Sequence, residues 1–388
     1  MKAKFLSIFL CLLLLTGCWD RIEVNDLAVV VGVGIDRVDN EHLKLTLLLI
    51  NPGTSQSKQV QSGADGGSFS TTVVSGVGTS IGDAIPQIQE KLSREIFWGH
   101  HRIAIIGKKA AEYGVREEID FFARHPVTRL RSQVFISEGT AEEMLRTPPI
   151  LERSVAEVLR EIAKLKLGID LTVKEFLEML EDKSQEAVVP LVVLDQEEEE
   201  TMVMAKGSAL LKNGKLIGMI DDKVTRGVLW LRDEIDLAYV TVQPKGTDGY
   251  VSMLQIFSRT KFEPHIENGK WSITVRIETK NDIIQNGTPL KVSSEKVYKQ
   301  LEKEVEREIK HYTQLALEEA RKHHADIFDF SEHFHQKYPD RWHNIEKKNG
   351  WEEKFNEIEV KVHVNANITR TGLTTSPPAF PDDEEVTD

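Results

Sequence analysis

Cysteine is almost missing from this 388-residue chain, which holds only Cys11 and Cys18. Both lie in the first eighteen residues. No thiol is left farther along for nucleophilic catalysis, a disulfide or a cysteine-based zinc site. Basic charge is in deficit, with 49 Lys plus Arg against 62 Asp plus Glu and a formal net charge of −13. That balance excludes general nucleic-acid binding, which needs a basic face to release counterions. It also gives no charge-driven attraction to anionic lipid. Long apolar runs are lacking too. Phe5 to Leu15 is an eleven-residue run broken only by Ser7, whereas a membrane-spanning helix needs about 20 residues. There is no Walker A sequence and no H-E-x-x-H pair. At 40% hydrophobic and 29% charged residues, the composition is that of a folded globular chain, with two or three cores expected from its length.

What is present begins at the N-terminus. Lys2 and Lys4 form a basic n-region, and Phe5 to Leu15 is the h-region of a signal peptide. It ends in Leu15-Thr16-Gly17-Cys18, which looks like a bacterial lipobox, with small residues before a cysteine whose thiol attacks a lipid donor. The alternative is an ordinary secretory signal with a chance cysteine. Processing at the lipobox removes residues 1–17 and leaves Cys18 as the lipidated first residue. A diacylglyceryl group, with palmitate-like chains worth about 0.8 kcal/mol per buried CH₂, holds a protein firmly where one chain does not. The folded part is then expected on the outer face of a membrane, anchored through Cys18.

From Leu27 to Asp36 the chain reads as a buried strand, turned at Val38 to Glu41 into a second strand. There Leu43, Leu45, Leu47 and Leu49 alternate with Lys44, Thr46, Leu48 and Ile50. Residues 51–68 read as a mobile Gly/Ser/Gln-rich loop. A strand at 69–75, a helix at 80–95, a strand at 102–107, a helix at 108–124 and a strand at 130–137 follow. Helices near 151–167 and 172–182 complete an N-terminal α/β domain with a helical appendage, over 18–195. The second domain is placed at 200–370, with a further division near 245 if it splits. Asn213-Gly214 and Asn268-Gly269 mark hairpin turns, and 222–232 reads as a short helix. Its dominant feature is a long amphipathic helix from Ser293 to His323, striped by Val297, Leu301, Val305, Ile309, Tyr312, Ala316 and Ala320. A strand from Ile358 to Thr369 closes the domain, and 371–388 reads as a disordered acidic tail. The fold class is therefore mixed α/β or α+β, with mostly antiparallel or mixed sheets.

Four constellations invite chemistry. Gly78-Thr79-Ser80-Ile81-Gly82 matches the G-x-S-x-G elbow of a hydrolase, with Ser80 as nucleophile. The polar strand before it favours a helix cap instead, with Asp83 three residues on as in a capping box. Gly32-Val33-Gly34 and Gly76-Val77-Gly78 give only G-x-G, and Gly82 comes one position late for the dinucleotide fingerprint. His311, His323, His324, His333, His335 and His343 raise a divalent metal site, with Asp326 and Asp329 near His333-x-His335. Without diagnostic spacing, surface histidines account for them. His100 and His101 lack a carboxylate motif to pair them, so packing is the better account. The residues give no catalytic, cofactor or metal site to commit to.

Cys18-Trp19-Asp20-Arg21 with Glu23, and then Gly32-Val33-Gly34-Ile35-Asp36, resembles the start of mature Ger(x)C spore-germination lipoproteins. Gly99-His100-His101-Arg102 through Ile106-Gly107 resembles a further landmark of that family. So do Ile119-Asp120-Phe121 with Arg124, and Phe135-Ile136-Ser137 with Gly139-Thr140-Ala141. Ile22-Glu23 departs from the expected charged residue followed by Glu-Ile. The resemblance implies the C subunit of a nutrient germinant receptor, with no known catalytic activity or cofactor. It implies a lipid anchor on the outer face of the inner spore membrane of a spore-forming bacterium, beside an A subunit and a multi-span B subunit. An extracytoplasmic solute-binding lipoprotein, with two matching α/β lobes and a hinged cleft, is the competing class.

Overall fold

The computed structural model describes residues 26–50 and 71–372, apart from 183, 198, 199, 293, 348 and 349. The expectations for the signal peptide, for Cys18 and the residues after it, and for the loop at 51–68 lie outside the described residues. So does the tail beyond 372.

The apolar run Leu27–Arg37 forms β1, and Leu43–Ile50 returns antiparallel as β2, with Val33 opposite Leu47 and Ile35 opposite Leu45. Asp39 closes the turn, its Oδ1 accepting the amides of Glu41 and His42, each at 2.8 Å. Next come β3 (Thr71–Gly78), α1 (Ile81–Gln89), β4 (Glu95–Phe97) and β5 (Ile103–Gly107). The chain continues through α2 (Lys108–Tyr113), α3 (Arg116–Arg124), β6 (Gln133–Ser137), α4 (Ala141–Arg146), α5 (Val155–Lys164) and α6 (Val173–Glu181). Strands β7 (Glu186–Glu197), β8 (Glu200–Lys212) and β9 (Lys215–Ile220) complete one nine-stranded sheet, ordered β3-β2-β1-β5-β6-β7-β8-β9 with β4 beside β1. Its central strands β1, β5, β6 and β7 run parallel, and the strands at both ends are antiparallel.

Helices cover both faces of this sheet. Val30, Val33, Ile35 and Ile106 belong to the main core, while Val31, Ile103, Ile105 and Phe135 pack with Leu145 and Leu159 on the opposite face. Burial on both faces is why these strands read as continuous apolar runs rather than alternating ones.

The second sheet follows α7 (Asp222–Leu231) and has the order β10-β11-β12-β13. Strands β10 (Ala238–Val242), β11 (Val251–Glu267) and β12 (Lys270–Asn286) are antiparallel, and Asn268 and Gly269 turn the long hairpin with φ of 49° and 79°. These are the left-handed angles that an Asn-Gly turn supplies. The chain then forms α8 (Glu295–Lys322), α9 (Phe330–Lys337), α10 (Pro339–Glu346) and α11 (Trp351–Glu357). It returns as β13 (Glu359–Arg370), parallel to β12. Ile273, Val275 and Ile277 share one buried core with Leu301, Val305 and Ile309 of α8, all three of which are fully buried. The architecture is mixed α+β, with two sheets in two domains and the long amphipathic helix in the second.

Two helix boundaries move. The helix expected at 108–124 is two helices, because Gly114 turns the chain with φ 141°. The helix expected to reach 95 ends at Gln89. Residues 200–220, assigned from sequence to the second domain, pair with β7 as β8 and β9. The hydrogen-bonded sheet therefore runs on to Ile220. Lys245, near the further division considered, lies in the connection between two strands of one sheet. Helices α4, α9, α10 and α11 are additions, too short for periodicity to reveal.

Candidate functional site

Asp36 ends β1 with a buried carboxylate, and its oxygens accept the amides of Ala141 at 2.7 Å and Glu142 at 3.0 Å. It thus satisfies the free N–H groups at the start of α4. Burial pushes its pKa up, against the pull of those two bonds. The neighbouring glycines make room for this. A Cβ on Gly34 would lie 2.9 Å from Leu145 Cδ1, and one on Gly107 would lie 2.0 Å from Asp36 Oδ1. Ser137 donates to the Gly139 carbonyl at 2.9 Å, and Thr140 and Glu143 form a capping box. Gly32 to Asp36, Ile106-Gly107 and Phe135 to Ala141 therefore meet at one place, where strand ends receive a helix. Beside it, burial raises the pKa of Glu142, but hydrogen bonds from Lys44, Arg146 and Ser75 outweigh this and hold it at about 2.

Gly99 to Arg102 organises a second cluster. His101 is buried, with Nδ1 3.1 Å from the Trp98 carbonyl and Nε2 2.8 Å from Ser132 Oγ. Burial lowers its pKa. Trp98 packs edge-on against Phe121 at 5.3 Å, and Asp120 pairs with Arg124 at 2.5 Å. His100 is exposed, 3.5 Å from an Arg129 nitrogen. His101 is thus tied to a carbonyl and a hydroxyl, which fix the ring in place.

Ser80 is the N-cap of α1, its Oγ accepting the Asp83 amide at 3.2 Å. Asp83 reaches back to the Thr79 amide at 3.0 Å rather than to Ser80. The glycines before it serve close packing, since a Cβ on Gly76 or Gly78 would strike the Ala84 backbone at 2.6 or 2.7 Å. The serine–histidine pairing of a hydrolase is not assembled around Ser80 among the described residues.

The histidines considered for a metal are dispersed. His333 packs on Phe262 at 4.5 Å, His335 lies 3.5 Å from Glu332, and His323 lies 3.6 Å from Glu319. His311 sits beside Tyr312. Among the described residues no group of three or more His, Cys, Asp or Glu is placed to hold a metal ion.

Asp326 is drawn elsewhere, into a buried ionic cluster that joins the two domains. Its carboxylate accepts from the Phe330 and Ser331 amides at 3.1 and 2.7 Å and from Trp351 Nε1 at 3.1 Å. Its own amide donates to Glu186 Oε2 on β7 at 2.6 Å. Lys212 on β8 ties both sides, donating to the His324 carbonyl at 2.5 Å and lying 3.4 Å from Glu186 and 2.9 Å from Glu352. Burial lifts the Glu186 pKa to about 8 and that of Asp326 to about 6. A cavity of about 400 Å³ beside them is walled in part by Trp342, Trp351 and Phe355. Sequence reasoning missed this cluster, because its members lie on β7, β8, α11 and the connection between α8 and α9 and share no spacing. The only local sign was Asp326 beside the apolar residues Ile327, Phe328 and Phe330.

Two family models match the chain. One, described as the spore germination protein N-terminal domain, covers residues 20–194. The other, described as spore germination B3/GerAC like, C-terminal, covers residues 206–372. The chain belongs to this germination family. Spore germination protein KC of Bacillus subtilis (strain 168) is 27% identical over 395 residues, covering 95% of each chain. Spore germination protein B3 of the same organism is 24% identical, over 95% of this chain and 98% of the relative. In Bacillus cereus, spore germination protein GerQC is 21% identical over 96% of this chain and 100% of the relative. The crystal structure of the GerBC protein shares the fold, with a TM-score of 0.57 at 19% identity over 89% of this chain and 99% of that one. In this Ger(x)C member the described landmark residues hold helix starts, strand ends and an aromatic cluster. No helix among the described residues is long and apolar enough to cross a membrane.

Proposed function

We propose that this chain is a membrane-anchored lipoprotein subunit of a spore nutrient germinant receptor. It is a non-catalytic C subunit, attached through lipid on Cys18 to the outer face of the inner spore membrane. There it supports assembly or signal coupling with the A and B subunits. The observation that carries the reading is the pair of family matches running from residue 20 to 372 directly behind Leu15-Thr16-Gly17-Cys18. The relatives, each a spore germination protein, support the same process.

The solute-binding alternative calls for two like lobes around a cleft. A nine-stranded mixed sheet beside a four-stranded one does not favour it. Co-purification tests the choice. Mild-detergent extracts of spore membranes should yield this protein together with an A and a B subunit, while the purified chain alone shows no saturable nutrient binding by calorimetry. Tight nutrient binding by the chain alone, without co-purifying partners, reverses the reading.

A further inference from the structure

The outer face of α8 carries charge of the wrong sign for this protein. Lys245, Lys296, Lys299, Lys303 and Arg307 line a groove of about 700 Å³ together with Glu295 and Glu304. Two of the cations are answered locally, Lys299 by Glu295 at 2.5 Å and Arg307 by Glu304. Lys245, Lys296 and Lys303 have no ion-pair partner among the described residues and are exposed. The groove thus holds an unbalanced positive charge on a chain whose net charge is −13.

The direction of the chain places an anion beside it. Ala366 and Ile368 of β13 donate their amides to Glu306 and Glu302 of α8, at 3.3 and 3.0 Å. Two residues of strand and four of helix each advance roughly 6–7 Å, so β13 and α8 run antiparallel in step. Extrapolated at that rate, Arg370 to Gly372 lie beside the first turns of α8, where the groove opens. The sequence beyond them, residues 373–388, contains Asp382, Asp383, Glu384, Glu385 and Asp388 and no lysine or arginine. From Gly372 to Asp382 the chain can extend roughly 30 Å, well over the 10–12 Å diameter of a helix.

We propose that the acidic segment Asp382 to Asp388 docks on the basic groove of α8 in the same molecule. Exposed ion pairs are individually weak, about 0–1 kcal/mol. Covalent attachment makes up for this by giving the segment a local concentration on the order of millimolar. The docked segment is an internal competitor: any acidic partner that uses this face of α8 must first displace it.

Zero-length carbodiimide cross-linking of the full-length protein, read by mass spectrometry, tests the contact. Links should join Asp382 to Glu385 with Lys296, Lys299 or Lys303 within one molecule, and high salt should abolish them. A Lys296→Glu/Lys303→Glu variant should lose the contact, and adding Asp382→Lys/Asp383→Lys should restore salt-sensitive protection of the groove from lysine-reactive or carboxylate-reactive reagents. In a second arm, a labelled peptide of residues 373–388 should bind protein truncated after Gly372 and be excluded from the intact protein. The proposal is overturned if the links form only between two copies or to a co-purified protein. It is equally overturned if the peptide binds intact and truncated protein alike, or binds neither. None of these outcomes depends on the germination reading.

Discussion

Glu186 is held by the Lys212 ammonium and the Asp326 amide, yet burial dominates and lifts its pKa to about 8 from an ordinary 4.5. Between those values the unfolded chain has released a proton that the folded chain keeps. Stability is therefore full below the ordinary glutamate range and is lost as pH rises, at up to roughly 1.4 kcal/mol per pH unit. Asp326 acts with the same sign, but only up to about 6. Toward pH 8 the falling stability is therefore carried by Glu186, while the burial-lowered pKa values of His100, His101 and His333 act with the opposite sign only below about 6.5. Urea unfolding from about pH 6.5 to 8 should show falling stability in the native protein and a flattened profile in Glu186→Gln, whose amide oxygen still accepts the Asp326 amide. An unchanged slope in the variant would assign the proton elsewhere. Glu142 works in the opposite sense. Its pKa of about 2 gives stability that is lost as pH falls below the ordinary range. At Ser80 the effect is on the helix alone. Ser80→Ala should lower the urea midpoint by the equivalent of about 1 kcal/mol, and Ser80→Thr should recover most of it. A loss of germination response in a Ser80→Ala protein of normal stability and abundance would instead point to chemistry at this serine.

At the scale of elements, α8 decides whether the second sheet has a core. Val305 is fully buried in the core shared with β12, and Val305→Asp would leave a lone carboxylate there, a cost that exceeds what a marginally stable domain tolerates. Circular dichroism and protease resistance of 222–370 should report its loss. Glu306 lies off the apolar stripe, and on helix pattern alone its removal should cost nothing. The structure corrects this, since Glu306 accepts the Ala366 amide and Glu302 the Ile368 amide on the outer edge of β13. Glu306→Ala should therefore cost about 0.5–1.5 kcal/mol. These carboxylates occupy donors that an edge strand would otherwise offer to another chain. Gly227 shows the other constraint on α8. A Cβ there would come within 2.1 Å of the Tyr312 carbonyl, so Gly227→Ala must push α7 off α8, with an expected loss of roughly 1–3 kcal/mol.

For the whole molecule, reach sets the arrangement. Between Cys18 and the first strand at Leu27 there are too few residues to extend more than roughly 30 Å. On the proposed reading, lipid on Cys18 would hold the nine-stranded sheet close to the bilayer, within reach of the proposed membrane-embedded partners, and weak contacts would then suffice for assembly. Cys18→Ala should leave an unprocessed precursor that labelled fatty acid does not mark. Undiminished labelling would end the lipobox argument. The cluster of Glu186, Lys212, Asp326 and Glu352 is the counterpart inside the protein, fixing one sheet to the helices of the other.

Local chemistry was enough for much of this. Periodicity placed β1, β2 and α8, because a strand buried on both faces and a helix with one apolar stripe leave distinct patterns. Asn213-Gly214 and Asn268-Gly269 marked hairpins, because few other pairs adopt their positive φ angles readily. Spacing also marked Ser80 as a cap, since the bond to the Asp83 amide spans only three residues. Contacts between distant segments were not legible in this way. Asp36 gains its purpose from amides more than a hundred residues away, and Asp326 from Glu186 on another sheet. The pairing of β8 and β9 with β7 likewise became visible only in the folded chain, where hydrogen bonding, not composition, assigns a strand to its sheet. Sequence fixes what a residue can bond over three or four positions. Which buried charge meets which partner depends on how the sheets and helices close around it, and that is decided only when water has been excluded.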